Sequence, residues 1–267
     1  MNPKDITLVV AIDREYSEKF LWTYQTWIKF KPEIRQMPIM VIYEGMDGPH
    51  VVSRSERYPY TQSTMNHMAI LERVGHPDVQ FVEWDHAGPF ASQREKMLTS
   101  LVISPSEYVK TPWYLKLDAD TFAKDSSPWL LDEWFLPENG KLPAFIASPW
   151  GYTKPANLLD VLDDWGDNVQ SLVGTKRLNI PYEPNATRVC SSRMASWVMF
   201  GNAKWLKEVV KSCPDRKLPV PSQDTFLYYI AARRGDFYRR AKMKRYGWDH
   251  ISKKHKLIPE CQRLLGV

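Results

Sequence analysis

Five short runs of almost unbroken apolar residues punctuate the first 150 positions: ITLVVAI from Ile6, PIMVIYE from Pro38, VQFVEW from Val79, WYLKLDA from Trp113 and AFIASPW from Ala144. Runs of this length without polar alternation predict strands buried on both faces, as in a mostly parallel sheet covered by helices. Between them the apolar positions recur at helix spacing. Phe20, Tyr24, Trp27 and Ile28 form one stripe, and Met65, Met68, Ile70 or Leu71, and Val74 a second. A third stripe of Met97, Leu98, Leu101 and Val102 follows Ser92-Gln93-Arg94-Glu95, a capping box in which serine and glutamate satisfy the first amides of a helix.

Strand and helix therefore alternate through the first half, the pattern of a doubly wound α/β domain. From about Trp150 to Pro184 proline, asparagine and aspartate interrupt every apolar run, which predicts loop and short helix. Beyond it, SSRMASWVMFG reads as a strand and AKWLKEVVKS as a short helix. SQDTFLYYIAARRG reads as a longer helix, with Ser222 as N-cap and Gly235 just past its end. There is no internal repeat. One domain over 1–267 is expected, with residues 1–125 as one half and 126–267 as the other.

Composition changes this picture only at its edges. The chain carries 11 tryptophans and 13 tyrosines, rings that either fill the core or stack on sugars and bases. The net charge of +5 favours anionic partners, and its basic residues crowd towards the C-terminus, from Arg233 to Lys256. The cysteines Cys190, Cys213 and Cys261 are three and widely spaced, so reduced thiols are expected rather than a disulfide framework or a zinc site. With neither a signal peptide core nor a span-length apolar stretch, a cytoplasmic protein is expected, with peripheral contact to an anionic membrane left open and no nucleic acid as partner.

The chemistry concentrates in WYLKLDADTF. A buried strand runs into Asp118 and Asp120, and ligands of open α/β sheets bind beyond the carboxyl ends of strands. If the chain stays extended, alternation puts both carboxylates on one face, where a shared magnesium or manganese ion would relieve their repulsion.

On these residues the chain resembles the GT-A glycosyltransferases, whose Asp-X-Asp motif follows a strand near the middle of the nucleotide-binding domain. The sharp part is Asp118-Ala119-Asp120, while the order of elements matches over most of the chain. The resemblance implies a Rossmann-like, doubly wound, mostly parallel sheet with a C-terminal acceptor-binding half. It also implies an inverting transfer of sugar from a nucleoside diphosphate donor to a hydroxyl of a carbohydrate or lipid-linked acceptor. By the same resemblance Asp120 binds Mn2+ or Mg2+ directly, and Asp118 reaches the metal or the donor ribose.

Further positions follow from the family pattern. Ala11, Asp13 and Arg14 end the first strand, where the base and ribose are held; Asp13 is equally suited to capping the helix that follows. Glu44 closes the second strand, as a nucleoside-binding acid or a solvated loop acid. Arg94 and Lys96 lie in the first turn of the capped helix, where an anion would compensate their opposition to the helix dipole. Asp224, in the first turn of the helix opened by Ser222, is either the general base or a charge complementing the dipole. His250 is the expected late metal ligand, with His255 behind it. Trp150, Tyr152 and Trp197 are the expected acceptor platforms. Lys244, Arg245, Lys253 and Lys254 either close over the diphosphate or face anionic lipid.

Two other classes share part of this signature. A haloacid-dehalogenase-like phosphatase also carries Asp-X-Asp after a strand, but near its N-terminus and followed by Thr or Val where this chain has Phe122. A non-catalytic nucleotide- or nucleic-acid-binding module would use the basic C-terminal stretch and bind with steep salt dependence.

Overall fold

A computed structural model describes residues 1–12, 16–43, 75–83, 93–149, 194–211, 223–234, 236–251 and 254–267. The apolar runs are strands: β1 (Ile6–Ile12), β2 (Ile39–Tyr43), β3 (Val79–Glu83), β4 (Trp113–Asp118) and β6 (Phe145–Pro149). With β7 (Met194–Asn202) and β8 (Tyr238–Arg240) they form a seven-stranded sheet in the order β3-β2-β1-β4-β7-β6-β8. The pairs β3-β2, β2-β1, β1-β4 and β6-β8 are parallel. β7 runs antiparallel to both β4 and β6, a reversal inside the sheet that no local pattern announces.

Two cores cover the faces of this sheet. On one face α1 (Ser17–Phe30) buries Phe20, Tyr24 and Trp27 against Leu8, Val10, Leu115 and Leu117. On the other, α2 (Gln93–Tyr108), α3 (Ala203–Lys211) and α4 (Gln223–Arg234) meet Val9, Tyr114, Phe145 and Met199 through Val102, Leu206, Phe226 and Ile230. Leu8, Val10 and Ile12 are fully enclosed on one face and Val9 on the other, and each such side chain contributes roughly 1.5–3 kcal/mol. That supplies the physical reason for the unbroken apolar reading of β1: residues of either parity find a hydrophobic layer.

Much of the aromatic excess is core. Trp27, Trp113, Trp129, Trp134, Trp205 and Trp248 are buried, several in edge-on contacts such as Trp129 on Trp248 at 5.1 Å. Cys261 is a free, buried thiol on α5 (Leu257–Leu265), a C-terminal helix packed against α1. Among the described residues no helix is long and apolar enough to cross a membrane.

A small second sheet completes the architecture and bears directly on function. β5 (Thr121–Ala123) pairs antiparallel with β9 (Trp248–His250), bringing the far end of the chain onto the end of β4. The turn into β9 depends on Gly247, at φ 80°; a Cβ there would also run into Asp125 and Lys31. Its carbonyl accepts from the Lys124 amide at 2.8 Å, extending the ladder by one bond.

Candidate active site

β4 ends at Asp118, in direct register with Ala11 near the end of β1. The chain does not continue extended to Asp120. Ala119 and Asp120 form a turn between β4 and β5, so the two carboxylates converge through a bend rather than through strand alternation as the sequence suggested. The bend is clamped by α1: Thr23 Oγ1 donates to the Ala119 carbonyl at 3.0 Å and Trp27 Nε1 to the Thr121 carbonyl at 2.7 Å. Thr26 Oγ1 accepts from the Ala123 amide at 3.1 Å. Two threonines and a tryptophan on one helix thus satisfy the backbone that the turn would leave unpaired.

Asp120 is largely enclosed, its side chain 14% exposed, and His250 Nε2 lies 3.8 Å from its Oδ2. Burial, with the neighbouring Asp118 adding to it, pushes the Asp120 carboxyl up to about 6, although His250 and Lys116 pull the other way. A carboxylate held in this strained electrostatic position gains from a nearby cation. His250 faces it because Thr121 and His250 are paired residues of β5 and β9. The imidazole in turn stacks on Trp197, at 6.1 Å between centroids and 28° between planes, and Thr121 Oγ1 donates to the Trp197 carbonyl at 3.1 Å.

Trp197 owes its place to an irregularity. Along the β6-β7 ladder, Ala147 pairs with Met199 but the next residue, Ser148, pairs with Ala195, so Ser196, Trp197 and Val198 have no partner on β6. Bulges of this kind re-aim side chains next to functional sites. Here the bulge turns Ser196 towards β4 and α4.

Lys116, Ser196 and Gln223 complete the surroundings and were not singled out from sequence. Lys116 lies two residues before Asp118 on the same face of β4, with its side chain only 2% exposed and its ammonium bonded to Asp118 Oδ1. It also donates to the Ser196 carbonyl at 2.8 Å and to Ser196 Oγ at 3.4 Å. Gln223 Nε2 donates to the same hydroxyl at 3.2 Å, which ties the first residue of α4 to the end of β4. The sequence did carry a signal: a lone lysine in the apolar strand WYLKLD must find a buried partner, and Asp118 is two residues away on the same face.

The structure therefore brings Ala11, Asp118, Asp120, Trp197 and His250 together. Arg94, Lys96 and Asp224 lie on helical backbone, in the first turns of α2 and α4, with their side chains outside the description. Asp13, Arg14, Glu44, Trp150, Tyr152 and Lys253 lie outside the described residues. Of the basic segment, Lys244 is engaged by Asp249 at 2.8 Å rather than free for an anion. Arg239 binds the Leu136 carbonyl at 3.0 Å, and Arg234 pairs with Glu208 and Asp236. His255 is exposed, beyond β9.

Two carboxylates and one imidazole are hard and borderline donors of the kind that bind Mn2+ or Mg2+. Among the described residues, however, no three such groups are gathered closely enough to hold an ion by themselves. The donor set fits a divalent cation that takes its remaining ligands from elsewhere, as phosphate oxygens would provide.

No family model matches the sequence, and no curated protein does. Solved structures do. The galactosyltransferase LgtC, in complex with donor and acceptor sugar analogs, superposes with a TM-score of 0.51 at 13% identity, over 98% of this chain and 95% of its own. Mouse xyloside xylosyltransferase 1, apo form, gives 0.48 at 12% identity over 88% of this chain and 84% of that one. The chain has the α/β fold of the GT-A glycosyltransferases, with a mixed, mostly parallel sheet between helices. Among the described residues the acidic pair follows the fourth strand, rather than lying near the N-terminus as in the phosphatases considered above.

Proposed function

We propose that this protein is a metal-dependent glycosyltransferase, moving a sugar from a nucleoside diphosphate donor to a hydroxyl of a carbohydrate or lipid-linked acceptor. The observation that carries the reading is Asp120 at the carboxyl end of the central strand, facing His250 at 3.8 Å and lying beside Asp118, in a fold shared with LgtC. That structure holds donor and acceptor sugar analogs, which supports sugars as the ligands here.

In this reading Asp118, Asp120 and His250 hold Mn2+ or Mg2+. The ion supplies Lewis-acid stabilisation of the leaving diphosphate. Ala11, without a bulky side chain beside Asp118, leaves room for the donor, and Asp13, Arg14, Glu44, Arg94 and Lys96 surround its nucleoside and phosphates. Trp197, stacked on His250, offers its indole to the acceptor, and Trp150 and Tyr152 are further candidate platforms. Asp224, in the first turn of α4, takes the proton of the attacking hydroxyl in an inverting displacement. The Gln223–Ser196 bond fixes the start of that helix against the site.

A thermal-shift screen of nucleoside diphosphates and their sugars, with and without Mn2+, tests the reading directly. Stabilisation that requires both metal and nucleotide is expected, because each binds only the folded chain. Asp120→Ala should abolish it and reduce transfer at least about a hundredfold. A fully active Asp120→Ala enzyme would refute the metal assignment. NMR of the product's anomeric proton then decides the role of Asp224: an inverted product retains it as base, a retained configuration removes it.

A further inference from the structure

Lys116 is the one ammonium among the described residues that is buried against the acidic pair, and the proposed chemistry leaves it without a task. All three of its protons are used: one on Asp118 Oδ1, the others on the carbonyl and hydroxyl of Ser196. Ser196 is fixed in turn by the β6-β7 bulge and by Gln223. The ammonium is therefore held by a rigid strand on one side and a bulge on the other, and cannot swing away when the site fills.

We propose that Lys116 is a positioning and charge-setting residue: it orients Asp118 and acts as a resident cation that limits the site's affinity for a divalent ion on its own. The inference rests on the metal reading above. With Lys116 present, the two carboxylates and the ammonium leave a net charge of one negative; without it the same site carries two. An ion bound by Asp118 and Asp120 would share Asp118 with Lys116 and feel its repulsion directly. At an effective dielectric of about 20, that repulsion across one carboxylate is worth more than tenfold in affinity. Loss of the orienting bond to Asp118 acts in the opposite sense but is the smaller effect, since the incoming ion itself replaces the lost partner. The consequence is a site that favours the cation together with an anionic diphosphate, whose negative charge Lys116 also attracts, over the bare cation.

The test compares Lys116→Met and Lys116→Gln with Lys116→Arg, which keeps the charge. Free Mn2+ is followed by electron paramagnetic resonance in titrations of the full chain, with Mn2+ alone and with Mn2+ plus UDP or GDP; circular dichroism establishes that each variant is folded. Lys116→Met is expected to bind Mn2+ alone at least about fivefold more tightly than wild type. Lys116→Gln should change in the same direction, while folded Lys116→Arg, which keeps the repelling charge, should not bind Mn2+ alone more tightly than wild type. Equal or weaker binding of Mn2+ alone by folded Lys116→Met or Lys116→Gln overturns the proposal, even if wild type binds Mn2+ with nucleotide normally. If wild type and every variant fail to bind Mn2+ under either condition, the metal reading itself falls, and this inference with it.

Discussion

Asp120 and His250, 130 positions apart in sequence, face each other at 3.8 Å because the strand that begins one residue after Asp120 pairs directly with the strand that ends at His250. The imidazole is held by that ladder and by the stack on Trp197. His250→Ala should therefore weaken Mn2+ retention about tenfold or more while leaving the fold in place. Electron paramagnetic resonance of Mn2+ with nucleoside diphosphate reads the first effect and a thermal melt the second. Unchanged retention would remove His250 from the ligand set.

The raised Asp120 carboxyl makes the metal-free protein sensitive to pH. Folding raises it from the ordinary range near 4 to about 6, mainly through burial and then through Asp118. Between those values the folded chain keeps a proton that the unfolded chain has released, so stability from this group is present at low pH and lost as pH rises through about 6. Asp120→Asn has no such proton to lose. In the presence of chelator, its stability relative to wild type should improve by about 2 kcal/mol from pH 4 to pH 7. Urea melts at the two pH values measure it, and parallel shifts would show that the enclosure of Asp120 is not felt.

His76 offers a second pH response of opposite sign. Its Nε2 lies 2.7 Å from the Met37 carbonyl, which can only accept, so Nε2 carries the proton and Nδ1 accepts from the Tyr24 hydroxyl at 2.7 Å. Burial, as the largest influence, holds the imidazole below its ordinary pKa, so its contribution to stability is present above about 6.5 and lost as pH falls. The stability gap between wild type and His76→Gln should accordingly narrow below that pH. Tyr24→Phe, which leaves a buried nitrogen without its donor, should cost about 1–3 kcal/mol in a denaturant melt at pH 8.

Gly201 on β7 lies opposite Tyr114 on β4, and a Cβ at 201 would run into the Tyr114 ring and hydroxyl. The ring is fully buried and cannot move aside cheaply. Gly201→Ala should destabilise the protein by about 1–3 kcal/mol, as overpacking does, and Tyr114→Val should relieve most of that increment in the double variant. A double-mutant cycle in urea measures the coupling, and simple additivity would show that the two positions are not in contact.

Apart from α5, which was not read from the sequence, the helices and the longer strands of the described chain were legible in order because their signals are local. β1 is apolar at every position since it is covered on both faces, and α1 shows its stripe since one side faces the sheet. Asp118 and Asp120 stood out for the same reason, as carboxylates at the end of an apolar run interrupted only by Lys116. The short strands β5, β8 and β9 were not legible. Three residues each carry no period, and they are strands only because a partner lies alongside.

By itself the sequence determined an alternating α/β chain with an acidic pair at the mouth of its fourth strand, since periodicity and burial are written residue by residue. Tertiary structure alone decided that β7 would run against its neighbours, that a turn rather than a strand would carry Asp120, and that His250 and Trp197 would close on it. It also decided that Ser196, on β7, would hold the Lys116 ammonium in place. These are contacts between segments tens of residues apart, set by hydrogen-bond ladders and packing that no local window of sequence contains.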